Sequence, residues 1–230
     1  MAGRIVPPAA WKYGLTIFVQ NWHSLLCVYD REMPAGITAP DVTAFILAGG
    51  KSTRMGADKA FVQFKGRSLL SRALEIAGLL TRDVRIVGSY EKFNQYAPVA
   101  QDVFRECGPL GGIHAALQSS PSDLNLVLGV DMPFVSASFL RYLVAQAGTA
   151  PEPVIVPRTG ERFQPLCAVY RREFRNAAET ALLAGRNRIG LLFKIVPIRV
   201  IDEDELVRSG FSSALFRNLN TPEELQAASE

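Results

Sequence analysis

The sequence has few of the residues that build disulfide frameworks and metal clusters. It contains three cysteines, Cys27, Cys107 and Cys167, and two histidines, His23 and His114. The cysteines are odd in number and far apart, and no C-x-x-C pair occurs, so we expect neither a disulfide framework nor a zinc site. Unpaired cysteines are typical of a reducing compartment, and we therefore expect a cytoplasmic protein.

Long apolar runs and strong charge are also lacking. No stretch of about 18 apolar residues occurs, so the sequence predicts no transmembrane helix and no membrane partner. The net charge is +3 over 230 residues, and no run of lysine and arginine is dense enough to indicate nucleic-acid binding. A content of 48% hydrophobic residues is typical of a globular chain, and the mild basicity is compatible with a small anionic ligand.

The first 40 residues differ from the rest of the chain. They contain several prolines and both tryptophans, Trp11 and Trp22, and they show no clear hydrophobic period. We interpret residues 1–40 as an N-terminal extension and residues 41–230 as a single domain. We expect residues 1–32 to be dispensable or to reflect an upstream start, with Met33 as a workable start. In the alternative interpretation, the large apolar residues form a helix that packs on the domain or on a partner.

From residue 42 onward, short apolar runs alternate with amphipathic segments. The runs at 42–47, 84–87 and 124–130 end at glycine or aspartate and predict buried strands. This alternation indicates βαβ units, and it predicts a three-layer α/β/α fold around a mostly parallel, Rossmann-like nucleotide-binding sheet. Further predicted elements are helices at 68–80, 111–117, 138–147 and 174–184, a final helix that begins at Thr221, and strands at 153–156, 166–170 and 197–201.

The most informative segment follows the first predicted strand and reads L-A-G-G-K-S-T-R-M-G-A-D-K from Leu47 to Lys59. Glycines after a strand let the backbone approach a ligand, and free N–H groups can then face an anion. Arg54 and Lys59 add two cations, which together with the glycines suit a triphosphate. The alternative is a plain strand–turn–helix connection with surface charge.

Two other phosphate-binding motifs do not fit this segment. A P-loop requires glycine five positions before Gly50, where the chain has Phe45 inside a predicted strand. The dinucleotide fingerprint G-x-G-x-x-G fails as well, because the glycines fall at 49, 50 and 56. The segment therefore belongs to neither of these classes.

Two aspartates follow or precede predicted turns. Asp131 ends a strongly apolar predicted strand, and Asp102 precedes the turn C-G-P-L-G-G at 107–112. Ligands of open α/β sheets gather at the carboxyl ends of strands, where a carboxylate beside a triphosphate suits Mg²⁺. From the residues alone, Asp131 could equally begin a turn before proline, and Asp102 could be a surface aspartate.

The loop at 47–59 resembles the signature loop of the molybdenum cofactor guanylyltransferases, a family of nucleotidyltransferases. The strings G-P-L-G-G at 108–112, D-M-P at 131–133, Q-P-L at 164–166 and N-L-N-T-P-E-E at 218–224 resemble other family strings. The similarity extends from about residue 43 to residue 225. The Gly-Gly pair is more similar to the guanylyl branch than to the cytidylyl branch, where Ala-Gly is usual.

The resemblance implies an enzyme that transfers GMP from GTP to the terminal phosphate of molybdopterin, with Mg²⁺ as cofactor and pyrophosphate as the other product. It implies catalytic roles for Arg54, Lys59 and Asp131, with Asp131 as the metal ligand. It also implies that Asn218 and Asn220 lie near the second substrate. The nucleotide contacts that it implies are made by Leu47, Ala48, Gly49, Lys59, Asp102 and Asp131.

One position departs from the family pattern. The family has an asparagine after its second strand, whereas this chain has V-G-S at 87–89, so a backbone group or Ser89 would have to replace it. The alternative functions are a related cytidylyl- or sugar-phosphate nucleotidyltransferase and a non-catalytic nucleotide-binding module. The resemblance also allows protein partners among molybdoenzymes or other proteins that handle the molybdenum cofactor.

Overall fold

The computed structural model describes residues 41–49, 58–104, 106–219 and 224. The interpretation of residues 1–40 as an extension falls outside these ranges, as do Arg54 and Asn220. The strands are β1 (Val42–Leu47), β2 (Gln63–Phe64), β3 (Arg67–Ser68), β4 (Val84–Val87), β5 (Val99–Ala100), β6 (Leu124–Gly129), β7 (Val154–Thr159), β8 (Arg162–Phe163), β9 (Cys167–Arg171) and β10 (Ile198–Ile201). The α-helices are α1 (Leu69–Gly78), α2 (Tyr90–Phe93), α3 (Gly108–Ser119), α4 (Ala137–Thr149), α5 (Phe174–Leu183), α6 (Ile189–Leu192) and α7 (Glu203–Arg208).

The central sheet has the strand order β10-β7-β9-β6-β1-β4-β5, and β8 pairs with β7. β1 is parallel to β4 and β6, β4 is parallel to β5, and β10 is parallel to β7. β9 runs antiparallel to both of its neighbours, β6 and β7. The connection from β7 to β9 contains only the short strand β8 and no helix. Because a parallel pair needs a long crossover connection, this short return makes β9 antiparallel.

Alternate residues of β1 supply two separate cores. Ala44 and Ile46 belong to a core on one face of the sheet, together with residues of α1 and α4. Phe45 and Leu47 belong to a core on the other face, together with residues of α3 and α5. Successive side chains of a strand point to opposite faces, so the fully buried run of β1 serves both layers. The predicted three-layer α/β/α fold with a mostly parallel sheet is confirmed.

The longer predicted elements agree with the structure within a few residues. The helix predicted at 68–80 is α1, which begins after Ser68, whose hydroxyl accepts a hydrogen bond from Ser71 N. The sequence did not predict β2, β3, β5, β8, α2, α6 and α7. The missed strands have only two residues, and the missed helices have fewer than two turns, which is too short to show a helical period. Among the described residues, no helix is long and apolar enough to cross a membrane.

Candidate active site

The carboxyl ends of three neighbouring strands lie in one row. Leu47 at the end of β1 pairs with Val87 of β4 and with Gly129 of β6. The pairing continues one step into the loops, since Ala48 N donates to Val87 O (3.1 Å) and Val130 N donates to Leu47 O (3.1 Å). The segment from Leu47 to Gly49 and the loop that carries Asp131 therefore leave the sheet side by side.

In the loop after β4, the residue next to this row is Gly88, which has no side chain. A Cβ atom added to Gly88 would lie 2.7 Å from the ring of Phe93, a buried residue, so another residue here would have to displace the ring. Ser89, the possible substitute for the family asparagine, donates its hydroxyl to Glu91 Oε2 (2.7 Å). The edge next to Gly49 is thus bare backbone, and the Ser89 hydroxyl already has a partner.

Lys59 and Asp131 meet at this edge. Lys59 Nζ lies 3.0 Å from Asp131 Oδ2, and the side chains are 20% and 19% exposed. Lys59 begins a short 3-10 helix, Lys59–Phe61, whose N-cap residue Asp58 accepts a hydrogen bond from Ala60 N. The sequence predicted both charged residues for the site, and the structure brings them into direct contact although they are 72 residues apart.

The Asp131 carboxylate folds back over the end of β6. A Cβ atom added to Gly129 would lie 2.9 Å from Asp131 Oδ1 and 3.3 Å from Leu166 Cβ, so glycine leaves the room that the carboxylate occupies. β9 runs antiparallel to β6, and therefore residues 164–166 precede β9 at this same edge. Gly129 N donates to Leu166 O (2.7 Å), which joins the two segments.

Asp102 follows β5, two strands away from β1 in the sheet. Its Oδ1 accepts a hydrogen bond from Phe104 N (2.9 Å), and burial raises the pKa of its carboxyl above the usual value. A Cβ atom added to Gly111 in α3 would lie 2.8 Å from Asp102 Oδ2, so the carboxylate lies directly against this helix. A Cβ atom added to the next residue, Gly112, would lie 3.1 Å from Leu47 Cδ2. Helix α3 therefore contacts both Asp102 and the end of β1.

The interior of α3 supports this arrangement. His114 is 1% exposed, and its ring meets the edge of Phe104 with 4.9 Å between ring centroids. Burial lowers the pKa of His114, so the neutral imidazole is favoured. Neutral His114 therefore packs against the loop that carries Asp102 without adding a buried charge.

The chain returns to Asp131 near its carboxyl terminus. Leu219 N donates to Asp131 O (3.3 Å), and Asn218, one of the two predicted acceptor-side residues, is exposed beside it. The roles of Arg54 and Asn220 remain predictions, because both residues lie outside the described ranges.

Lys92 was missed by the sequence interpretation. Its Nζ lies 2.8 Å from Asp58 Oδ2, and this ion pair attaches the residue before Lys59 to α2. The two residues are 34 positions apart, and Lys92 stands in no recognisable motif, so no sequence signal could have found it.

The Asp131 carboxylate at this edge suits a metal ion whose other ligands come from the substrate and from water. The described residues contain no group of three or more histidine, cysteine, aspartate or glutamate side chains that could hold a metal. Mg²⁺ in phosphoryl-transfer sites is held by one or two carboxylates together with phosphate oxygens and water. Asp131 alone, beside the Lys59 ammonium, fits this second kind of site.

A family model and two relatives of known name agree on one family. The family model of the MobA-like NTP transferase domain matches residues 44–194. The molybdenum cofactor guanylyltransferase of Syntrophotalea carbinolica is 33% identical over 186 residues, which cover 80% of this chain and 89% of that protein. The enzyme of the same name from Desulfosudis oleivorans is 33% identical over 190 residues, covering 81% of this chain and 94% of that protein.

Solved structures agree with this assignment. Molybdopterin-guanine dinucleotide biosynthesis protein A from Archaeoglobus fulgidus superimposes with a TM-score of 0.72 at 26% identity, covering 81% of this chain and 96% of that one. A cytidylyltransferase from Thermus thermophilus, which acts on 2-C-methyl-D-erythritol 4-phosphate, has a TM-score of 0.56 at 17% identity, covers 80% of this chain and 96% of that one, and shares the fold alone. The resemblance first visible in the 47–59 loop is confirmed. The chain belongs to the MobA-like NTP transferase family.

Proposed function

We propose that the protein transfers GMP from GTP to the terminal phosphate of molybdopterin, forming molybdopterin guanine dinucleotide. A terminal phosphate oxygen of the acceptor forms a new bond to the α-phosphorus of GTP, and the bond from that phosphorus to the bridging oxygen of pyrophosphate breaks. The relatives named molybdenum cofactor guanylyltransferase support this reaction. The observation that carries the proposal is the contact of Lys59 with Asp131 at the row of strand ends formed by β1, β4 and β6.

In this proposal the nucleotide lies along the end of β1. The backbone of Leu47, Ala48 and Gly49 binds the nucleoside, because glycine at 49 places no side chain between a ligand and the main chain. Asp102 lies at the start of α3 and contributes a carboxylate that can accept hydrogen bonds from the nucleotide. A partly desolvated acceptor gives a stronger hydrogen bond than one in water, which offsets the cost of burying Asp102.

Lys59 binds the phosphates of GTP. In the free protein its ammonium group is paired with Asp131, and this pair holds both side chains at the strand ends before substrate arrives. Phosphate oxygens that enter the site would take over the ammonium group. Arg54 is another cation of the loop and is proposed to stabilise the negative charge that develops during transfer.

Asp131 is proposed as the metal ligand. Mg²⁺ held by this carboxylate and by phosphate oxygens would supply charge neutralisation at the triphosphate. Transfer between phosphates requires no covalent protein intermediate, so the protein residues act by positioning the two substrates and by stabilising charge. The Leu219 backbone fixes the Asp131 main chain, and the space at Gly129 fixes the direction of its side chain.

Product analysis tests the proposal. The purified full chain is incubated with molybdopterin, Mg²⁺ and one of GTP, CTP or UTP, and both pyrophosphate and dinucleotide are measured. We expect pyrophosphate release and a guanine dinucleotide with GTP only. A cytosine dinucleotide would assign the enzyme to cytidylyl transfer, whereas binding of GTP without product under any condition would favour a non-catalytic module.

A further inference from the structure

A short segment near the carboxyl terminus lies against the backbone of Asp131. Phe216 (7% exposed) and Leu219 (1% exposed) are buried in the core beneath α4, and the two residues between them, Arg217 and Asn218, are exposed. Leu219 N also donates to Asp131 O. The two buried side chains and this hydrogen bond fix the position of the exposed pair relative to the proposed metal ligand.

Arg217 extends over an aromatic ring on the loop that follows Asp131. Its guanidinium carbon lies 5.8 Å from the centre of the Phe134 ring. Phe134 in turn meets the ring of Phe64 edge-on, with 5.6 Å between centroids. Beneath them, the Arg72 guanidinium lies 5.2 Å from the Phe64 ring and donates to Pro133 O (3.4 Å). The contact with Phe64 and the Arg72 hydrogen bond to the preceding residue therefore hold the Phe134 ring in place beside Arg217.

Arg217 has no carboxylate partner among the residues that the structure describes, whereas Lys59 is paired with Asp131. A guanidinium group that lies over a ring at cation–π distance keeps N–H groups for an oxyanion, and its planar fork can bind phosphate through two hydrogen bonds. Because the ring already limits the side-chain rotamers, less conformational entropy is lost when a ligand binds. These features suit an anionic ligand next to Asp131.

A cation is well suited to the acceptor side of the transfer reaction, because the acceptor carries a negatively charged terminal phosphate. The attacking and leaving oxygens lie roughly in line on opposite sides of the phosphorus, so the acceptor phosphate enters on the side away from pyrophosphate. Lys59 belongs to the Gly-rich loop, which the proposed function assigns to the triphosphate. Arg217 comes from a different segment of the chain and meets the Asp131 loop through Phe134.

We propose that Arg217 is a substrate-binding residue that holds the terminal phosphate monoester of the acceptor, with Phe134 as the residue that positions its guanidinium group. This assignment rests on the proposed function. It predicts that replacement of Arg217 weakens binding of the acceptor and leaves GTP binding unchanged.

The test uses the full-length chain and steady-state kinetics in which molybdopterin and GTP are varied separately. For Arg217→Gln we expect the KM for molybdopterin to rise about tenfold, the loss expected for one charge-assisted hydrogen-bonded contact, with the KM for GTP unchanged. Arg217→Lys keeps the charge and should restore part of the affinity. Phe134→Leu keeps Arg217 and removes the ring, and it should raise the same KM by a smaller factor.

Arg186→Gln is the matched control, because Arg186 is also exposed but lies between α5 and α6 on the opposite face of the sheet. Melting temperatures with and without GTP show whether each variant is folded and binds nucleotide. A wild-type enzyme that makes product, together with an unchanged acceptor KM in Arg217→Gln, would overturn the inference. A wild-type chain that makes no product from molybdopterin would instead refute the proposed function.

Discussion

Replacement of Asp131 by asparagine is the sharpest perturbation of the proposed site. The substitution keeps the size of the side chain and removes its charge, so the fold around Gly129 and Leu219 has no steric reason to change. The carboxylate lies 3.0 Å from Lys59 Nζ, and both side chains are about four-fifths buried. Asparagine would remove the negative charge that Lys59 Nζ contacts, and with it the carboxylate that is proposed to bind Mg²⁺.

The turnover and the stability of this variant should fall by different amounts. Removal of one preorganised electrostatic group costs about 10² in turnover or more, which corresponds to about 2.7 kcal/mol of transition-state stabilisation. The effect on folding should be smaller, about 1 kcal/mol, because the remaining exposure of the pair lets water solvate Lys59. We therefore expect Asp131→Asn to fold, with a modest fall in melting temperature and a large loss of turnover.

The assay is pyrophosphate release at saturating GTP and molybdopterin, over a range of Mg²⁺ concentrations. Asp123→Asn provides a matched control, since Asp123 precedes β6 while Asp131 follows it, and its carboxylate is also paired with a cation, Arg171 Nη1 at 2.6 Å. The control should keep wild-type turnover and Mg²⁺ dependence. Normal turnover of Asp131→Asn at limiting Mg²⁺ would refute the metal assignment.

Three further perturbations probe the nucleotide side. Lys59→Ala should weaken GTP binding at least tenfold and leave guanosine binding unchanged, as measured by calorimetry, because the lysine is proposed to contact only phosphates; equal losses for both ligands would contradict this role. Gly111→Ala would place a Cβ atom 2.8 Å from Asp102 Oδ2, so we expect a lower melting temperature and weaker GTP binding. Gly190→Ala is the helical control: no atom lies within 4 Å of its added Cβ, and it should lower neither. Burial raises the pKa of Asp102, so the stability that its protonated form contributes at low pH is lost as the pH rises through the folded-state pKa. Asp102→Asn should accordingly raise the melting temperature near neutral pH. It should leave the melting temperature unchanged below about pH 3, where the carboxyl is protonated in both the folded and the unfolded state, and it should weaken GTP binding. A lower melting temperature at neutral pH would contradict the reasoning.

The sequence by itself determined the longer strands and helices and the position of the main loop. The apolar run at 42–47 and the helical spacing at 68–80 are local patterns, and local patterns report which segments are buried in a strand or helix. The loop at 47–59 and the aspartate at 131 could be predicted because glycine, cation and carboxylate spacing carries chemical meaning within a few residues. Family resemblance then added the substrates, which no local pattern specifies.

The tertiary structure alone decided which distant residues meet. β9 is antiparallel because the connection before it is short, although its apolar sequence is equally compatible with a parallel strand. The contacts of Lys92 with Asp58 and of Arg217 with Phe134 join segments 34 and 83 positions apart, and neither cation belongs to a recognisable motif. Such pairs form only after strand order and helix packing bring the segments together, so their positions follow from the packed core and leave no signal in the local sequence.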